Sequence, residues 1–587
     1  MTRKNDKYTN KVIFFVASEI TGNTKNSSWD VIPMISSYLT CINATDKKNL
    51  FESCEVILRI IAEKCDPSET VLQFLEQIES LEDDIKFCAM LNPIGITFNR
   101  MNDKSKAIEW CVSTIQSYIQ DLPTPVINKA DSNIDKITEE TNTDLCRIVK
   151  LYQSIISFVA SLIQDTNVTN ITKQDLIFKD YILGLLIYLL GKPYCYLKED
   201  VIVSGMRVGL LLEKIFNLMF HLTKDILYFL NFVNNRVELE NYTTPDKDTG
   251  KEAVNTKKLK GEILNSQEIV PNLAYANLYF YIITTDFVWL KLPQIYNPHY
   301  IFQTCIYLVN CLLKEQNNTL IGKGLLFMEH LVKLISKLSV GLNMLELKIY
   351  VILLDTIINV MVYCDCDSER KKALLIFHEY IKVFSMEARY FIILHLYDTC
   401  NHSGVLSLVT GLLKTSIIEN LGTTPRGTYF SGRNLECLLK HACNLPYHGA
   451  TDVVEMSDEI ITTLNLLRFL LIRDQSNETG IWNIIYKLQE NYLNPLRQGI
   501  DLCRAHWQTK IKDLEEAART KNKSQNFSET EVDKNVMLSV GSEKLPAMPI
   551  TQKVNFSHQV LCGLDVMESL VIRVNECIKN NPTKNIS

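Results

Sequence analysis

Apolar residues recur along most of this chain at the spacing of an amphipathic helix. The same period appears at 325–338 and at 460–471. Its clearest instance is the apolar series Leu145, Ile148, Val149, Tyr152, Ile155, Ile156, Val159, Ala160 and Ile163. Because side chains three and four positions apart share one face of a helix, these segments are predicted to be helices with one buried face. No segment shows the alternation of apolar and polar residues that predicts β-strands joined by hairpins.

The starts and ends of helices can also be predicted. Asp66-Pro67-Ser68-Glu69 supplies a capping acceptor, a first-turn proline and a glutamate, so a helix is expected to begin there. A last amphipathic helix is predicted over about 554–578. Two apolar runs, 181–190 and 349–364, are shorter than a membrane span or contain an aspartate, and they are predicted to be buried helices.

Polar stretches interrupt this pattern and suggest an organisation. Residues 234–267 contain Thr243-Thr-Pro-Asp-Lys-Asp-Thr-Gly250 and a lysine cluster, which predict a solvated loop. Residues 510–544 begin as a charged helix and then lose their periodicity. We therefore predict amino-terminal helical repeats at 1–233, a polar loop at 234–267 and carboxy-terminal helical repeats at 268–587.

Composition supports a helical fold with short connections. The 21 glycines and 16 prolines are about half the usual share for a chain of 587 residues, whereas 47% of the residues are hydrophobic. The predicted class is all-α, a HEAT- or armadillo-like helical repeat solenoid in two halves. No strict repeat of 34 or 40 residues is visible, so several compact helical bundles remain the alternative.

Charge indicates which classes of partner are disfavoured, and cysteine content indicates the cellular compartment. A net charge of −6 does not favour nucleic acid or an anionic membrane as a partner. The 17 cysteines are scattered and form no CxxC pair, which is typical of a reduced protein. The apolar run 12–17 is short for a signal peptide, so we expect a cytoplasmic protein, with the nucleus as an alternative.

Motifs for catalysis or cofactor binding are missing from the sequence. There is no phosphate loop, GxGxxG, HExxH or GxSxG. Two loose clusters of potential metal ligands occur, namely His395, Asp398, Cys400 and His402, and then His441, Cys443 and His448. Zinc ligands usually come in two closely spaced pairs, so both clusters, and the lone Cys364-Asp-Cys366, are better explained as helix ends. We predict a protein that is not an enzyme and has no catalytic residue, metal or cofactor; a site assembled from distant residues is the alternative.

A binding surface is the interpretation that remains. Residues 466–512 hold seven Lys and Arg against four Asp and Glu, together with Trp482, Tyr492 and Trp507. Aromatic residues and arginine are enriched in interface hot spots, although each of these residues could equally be core or a solvated face.

An ordered series of short motifs resembles the glomulin family. It is carried by Asn401-His-Ser-Gly-Val405, Leu464–Asp474 with Thr479-Gly-Ile-Trp482, Asn491–Leu496, Arg504-Ala-His506 and Leu545-Pro-Ala-Met-Pro549. Weaker matches lie upstream, at 370–374, 322–325 and 25–29. The resemblance spans about 25–578. The chain differs by an apparently later start, which suggests one or two missing amino-terminal helices, and by the composition of 234–267.

The resemblance implies an all-helical, HEAT-like protein whose carboxy-terminal half binds the RING-box subunit of cullin–RING ubiquitin ligases. It would cover the surface where the ubiquitin-conjugating enzyme docks and so stop ubiquitin transfer. The family is also linked to immunophilin binding and to vascular smooth-muscle development. An adaptor for another partner, such as an immunophilin, a receptor tail or a transport cargo, is the alternative.

Candidate contact residues for that partner lie in the carboxy-terminal half, and for Tyr429 and Phe430 core packing is equally expected. The candidates are Arg426, Tyr429, Phe430, Arg433, Arg473, Arg497, Arg504 and His506.

Overall fold

The computed structural model describes most of the chain. The described residues are 31–79, 83–124, 143–164, 173–198, 207–242, 262–285, 295–422, 427–523, 539–540, 543–544 and 550–580. Apart from two strands of two residues, Ser539–Val540 (β1) and Glu543–Lys544 (β2), the regular structure in these residues is helical. The predicted all-α class is confirmed.

The chain divides into two compact units. The first comprises residues 1–335 and 348–377, and the second comprises 336–347 and 378–587. Helices of the first unit are α1 Ile32–Ser36, α2 Cys41–Asp46, α3 Lys48–Lys64, α4 Pro67–Glu79, α5 Asp84–Arg100, α6 Ser105–Gln120, α7 Thr143–Gln164, α8 Lys173–Tyr188, α9 Arg207–Leu222, α10 Leu230–Tyr242, α11 Glu262–Asn265, α12 Asn272–Thr284, α13 Pro298–Leu313, α14 Asn318–Leu334 and α15 Lys348–Tyr363. Helix α16, Asp367–Val383, begins in the first unit and ends in the second.

Helices of the second unit follow in chain order. They are α17 Met386–Thr399, α18 Ser403–Gly422, α19 Gly432–Ala442, α20 Ser457–Arg473, α21 Ile481–Leu488, α22 Asn494–Lys523 and α23 Ile550–Lys579. A π-helical segment, Gln489–Leu493, joins α21 to α22. Single turns of 3₁₀ helix occur at Tyr194–Tyr196, Leu227–Phe229, Leu342–Glu346 and His448–Ala450. Helix α23 begins four residues before the predicted start and contains the whole predicted segment.

Packing in the first unit follows the order expected of stacked helix pairs. Helix α3 packs on α5, α5 on α7 and α7 on α9, while α4 packs on α6 and α6 on α8. Contacts between α4 and α5 join the two rows. Each of these five contacts in the two rows skips one helix, an arrangement that also occurs in helical repeat proteins.

Local sequence signals explain where these helices form. Asp66 Oδ1 accepts the backbone N–H of Ser68 at 2.9 Å, which confirms the predicted cap of α4. In α7 the predicted apolar face is buried, with Tyr152, Ile155 and Val159 completely so. Two described helices, 143–163 and 403–422, are long and apolar enough to span a membrane by length and composition alone, with 56% and 44% of their apolar windows buried.

The polar stretch 234–267 does not separate the two units. Its first part belongs to α10, in which Arg236 is 3% exposed. The Arg236 guanidinium donates to the carbonyl oxygens of Leu264, Asn265 and Ser266 at 3.0–3.1 Å, and to Asn272 Oδ1 at 2.8 Å. Both ends of the stretch are thereby tied within the first unit, so the boundary proposed from composition differs from the one that packing defines. Residues 243–261 lie outside the described part.

The second unit contains a returning segment and a long helical hairpin. Val340 N donates to Val383 O at 3.0 Å, and Ser385 N donates to Val340 O at 2.8 Å, so the segment before α15 pairs with the link between α16 and α17. Helices α22 and α23 pack on each other, and α23 also packs on α20. Helix α20 also packs on α18, and its Leu464 and Leu467 are completely buried.

Candidate interaction surface

Three short helices of the second unit pack side by side and are linked by pairs of charged side chains. Helix α17 packs on α19, and α19 packs on α21. Lys487 Nζ of α21 donates to Glu436 Oε1 of α19 at 2.9 Å. His441 Nδ1 of α19 lies 3.4 Å from Asp398 Oδ1 of α17. These two pairs, together with the apolar contacts beneath them, align the three helices.

Cationic side chains surround one carboxylate on this surface. The hydrogen bond from Lys487 holds the pKa of Glu436 below its ordinary value; loss of water opposes it, and the charges of Lys487, Lys440 and Arg433 add to it. All three cations are exposed, and so is the neighbouring Tyr486, at 69%. We call the set Arg433, Glu436, Lys440, Tyr486 and Lys487 the cationic patch. It carries two net positive charges and includes the exposed tyrosine that precedes Lys487, in a chain whose overall charge is −6.

The segment before α19 shows which predicted contacts are core. Phe430 is completely buried, with its ring edge-on to that of Tyr390 at 6.3 Å between centroids. Its side chain is therefore part of the core, which is one of the two alternatives that the sequence left open for Phe430. Tyr429 is half-buried, and its hydroxyl donates to the Glu387 carboxylate. Arg426 lies outside the described residues.

The remaining predicted arginines differ in their exposure and in their contacts. Arg433 belongs to the cationic patch, whereas Arg473 and Arg497 are exposed at the end of α20 and the start of α22. Arg504 contacts carboxylates of its own chain, with Nη2 at 2.9 Å from Asp565 and 2.6 Å from Glu568. This pairing joins α22 to α23, so Arg504, a candidate partner contact, also has a structural role.

Aromatic residues of the predicted basic region are mostly structural. Tyr492 is 1% exposed, and Trp482 Nε1 donates to the carbonyl oxygen of Asp474 at 2.7 Å. Trp507 is half-buried and contacts Phe556 of α23, with ring centroids 5.9 Å apart. His506 is exposed, and its ring lies edge-on to Trp507 at 6.0 Å. Of these four residues, His506 is the exposed one.

The loop between α20 and α21 explains one of the short motifs. Asp474 is 3% exposed and accepts the backbone N–H of Glu478 at 2.6 Å and of Thr479 at 2.8 Å. Gly480 follows with φ +81°, a conformation that glycine adopts without steric cost. The sequence from Arg473 to Trp482 is therefore a structural turn that presents α21.

The histidine and cysteine clusters are helix ends. Cys400 lies just after α17 and donates its N–H to Leu396 O, and His402 lies just before α18 and accepts the N–H of Val405. Cys364 and Cys366 fall between α15 and α16. Within the described ranges, no group of three or more His, Cys, Asp and Glu side chains could hold a metal ion.

Sequence reasoning missed part of the cationic patch. Arg433, Glu436 and Lys440 are three and four positions apart, so their common face on α19 could have been predicted. Lys487 comes 51 residues after Glu436, and only the packing of α19 on α21 brings them together.

Fold and surface together define a class: an all-α protein of stacked helices whose described features suit protein binding. Comparison with known sequences then gives the family. The family described as "Uncharacterised protein family, YAP/Alf4/glomulin" matches residues 13–174 and 210–554. The chain belongs to this family.

Two curated relatives are similar over nearly the whole chain. Human glomulin is 24% identical over 563 residues, which cover 94% of this chain and 88% of the human protein. Mouse glomulin is 25% identical over 586 residues, with coverages of 98% and 91%. The resemblance proposed from the ordered motifs is confirmed.

Proposed function

We propose that this protein is a non-catalytic inhibitor of cullin–RING ubiquitin ligases. It binds the RING-box subunit and covers the surface to which the ubiquitin-conjugating enzyme docks. The observation that carries this proposal is the family match over most of the chain, together with similarity to glomulin along nearly its full length.

The surface of the second unit is suited to this role. An inhibitor that acts by occupying a docking site needs a firmly held surface and a few well-placed anchors, but no reacting group. The cationic patch offers Arg433, Lys440 and Lys487 beside the exposed Tyr486, on helices fixed by buried apolar residues. Charges arranged in this way speed encounter with an acidic partner surface and select among partners.

A reconstituted ubiquitination assay tests the inhibition. Purified protein is added to a neddylated cullin–RING ligase, its conjugating enzyme and ubiquitin, and the rate of chain formation is followed. We expect the rate to fall in proportion to occupancy of the RING-box subunit. Unchanged chain formation at saturating protein would overturn the proposal.

Charge reversal tests the part assigned to the patch. The double substitution Arg433→Glu with Lys440→Glu is expected to weaken binding to the RING-box subunit by about tenfold or more, because it replaces attraction with repulsion. Arg573→Glu, on the exposed face of α23, is the matched control and should bind like the unaltered protein. Equal binding by both variants would remove the patch from the interface. Circular dichroism of each variant establishes that it is folded.

An affinity capture from cell extract addresses the alternative partner. Recovery of cullins with the RING-box subunit supports the proposed function. Recovery of an immunophilin without them would instead favour a helical-repeat adaptor, because a repeat fold alone does not determine its partner.

A further inference from the structure

A buried carboxyl group lies in the core of the second unit. Glu459, in the first turn of α20, is only 5% exposed. Its backbone N–H donates to Ser403 Oγ of α18 at 3.3 Å, but no described side chain forms a hydrogen bond or an ion pair with its carboxyl group. A carboxylate that loses its water and gains no cation is costly to bury, whereas a neutral carboxylic acid is tolerated.

The titratable groups whose pKa the charge of Glu459 affects come from three elements, and none of them is a cation. They are Tyr397 of α17, the Cys443 thiol after α19, and Tyr492 of the π-helical segment. Burial raises the pKa of each of these groups, and a negative charge on Glu459 raises them further. From α18 the neighbour is the Ser403 hydroxyl, which does not titrate. Burial alone raises the pKa of Glu459 to about 7.

Tyr492, whose pKa the charge of Glu459 raises, has an unusual feature of its own. Its hydroxyl is buried and has no hydrogen-bond partner among the described residues. An unpaired buried hydroxyl costs stability, and here it sits in the π-helical segment Gln489–Leu493, where the helical hydrogen-bond pattern changes. This segment joins α21, which carries Tyr486 and Lys487, to α22.

We propose that Glu459 is a proton-sensitive packing residue. When its carboxyl group is protonated, the core around Tyr492 is closed and the π-helical segment is held in place. When Glu459 ionises, the buried charge favours local opening of 489–493, because opening returns the carboxylate and the Tyr492 hydroxyl to water. The inference concerns the fold of the second unit and does not depend on the identity of its partner.

The direction and size of the effect follow from linkage. A raised pKa means that the closed form binds its proton more tightly than the open form. The stabilisation is therefore complete below the ordinary pKa of 4.5 and is lost as the pH rises through about 7. Between about pH 6 and about pH 8, the equilibrium for opening should increase about tenfold.

Hydrogen exchange of the full chain, read by mass spectrometry, tests this directly. After correction for the intrinsic pH dependence of exchange, peptides covering 489–493 should exchange about tenfold faster at about pH 8 than at about pH 6. Glu459→Gln, which keeps the shape but cannot ionise, should remove this difference. Asp458→Asn, one residue earlier and exposed, is the matched control and should retain it.

Two results would overturn the proposal. One is a pH dependence in Glu459→Gln equal to that of the unaltered protein. The other does not rely on a variant: an infrared titration of the unaltered protein at about pH 6 that shows no protonated carboxylic acid band. Neither measurement involves a ubiquitin ligase, so a failed inhibition assay and a failed switch are distinguishable.

Discussion

The guanidinium of Arg504 lies 2.6 Å from the carboxylate of Glu568, and this pair joins helices α22 and α23 across 64 positions of sequence. Asp565 contacts the same guanidinium at 2.9 Å. The two carboxylates, with the surrounding burial opposing them, give a net rise in the pKa of Arg504. Arg504, a candidate partner contact in the sequence, is thus also part of the hairpin whose helix α23 packs on α20.

Removing this cation should loosen the hairpin. Arg504→Ala is expected to lower the free energy of unfolding by about 1 kcal/mol, since the network is partly open to solvent. Denaturant unfolding followed by circular dichroism measures the change. Arg497→Ala, exposed on the same helix, should have no comparable effect; equal losses in the two variants would argue against the ion-pair explanation.

Asp474 should matter for the shape of the loop before α21. Asp474→Ala removes acceptors from two backbone N–H groups and is expected to cost about 2–3 kcal/mol of stability. Asp474→Asn keeps one acceptor oxygen, so its stability should lie between that of the unaltered protein and that of Asp474→Ala. Thermal unfolding of these variants tests the order, with the exposed Gln475→Ala as control. A stability loss in Gln475→Ala as large as that in Asp474→Ala would contradict the account.

Arg236 should be needed to hold α10 against the backbone of residues 264–266 in the first unit. Arg236→Met leaves the carbonyl oxygens of 264–266 without their donors and should cost about 3 kcal/mol. Arg236→Lys keeps a charge but cannot reach all four acceptors, so partial rescue is expected. Limited proteolysis within 243–261 and denaturant unfolding both report the effect. The control is Arg59→Met, at an exposed position. An equal loss of stability and of protease resistance in that variant would contradict the role assigned to Arg236.

Asp84 should make the first unit sensitive to acid. Burial would raise the pKa of Asp84, but hydrogen bonds from Arg147 and Tyr118 outweigh it and hold that pKa below its ordinary value. Arg147 contributes two of these bonds, at 2.6 and 2.9 Å. A lowered pKa gives stability that is present above the unfolded pKa of about 3.8 and is lost as the pH falls through the folded value.

Asp84→Asn is therefore expected to destabilise the protein at neutral pH and to match the unaltered protein in strong acid. Unfolding midpoints measured across a pH series reveal this convergence. For the control Asp46→Asn, exposed on α2, the difference in unfolding midpoint from the unaltered protein should stay the same at every pH. A constant gap between Asp84→Asn and the unaltered protein at all pH values would show that ionisation is not the cause.

The sequence by itself determined the helices, the fold class and the family. Helix α7 could be predicted because its apolar period is a local property, and the cap at Asp66 depends on neighbours two residues away. The family could be inferred because its motifs keep their order. The motif Leu464–Asp474 with Thr479-Gly-Ile-Trp482 has its two parts joined by a turn built around Asp474, which explains why these residue types occur together.

Only the tertiary structure decided which residues are core, which are paired and which are free. Phe430 and Arg504 looked like contacts in the sequence, yet one is buried against Tyr390 and the other is bound by Glu568. Composition placed a boundary at 234–267, whereas Arg236 ties that stretch within one unit. The physical reason is the same in each case: burial and ion pairing depend on which helices pack together, and the helical period of a single segment carries no information about its partner.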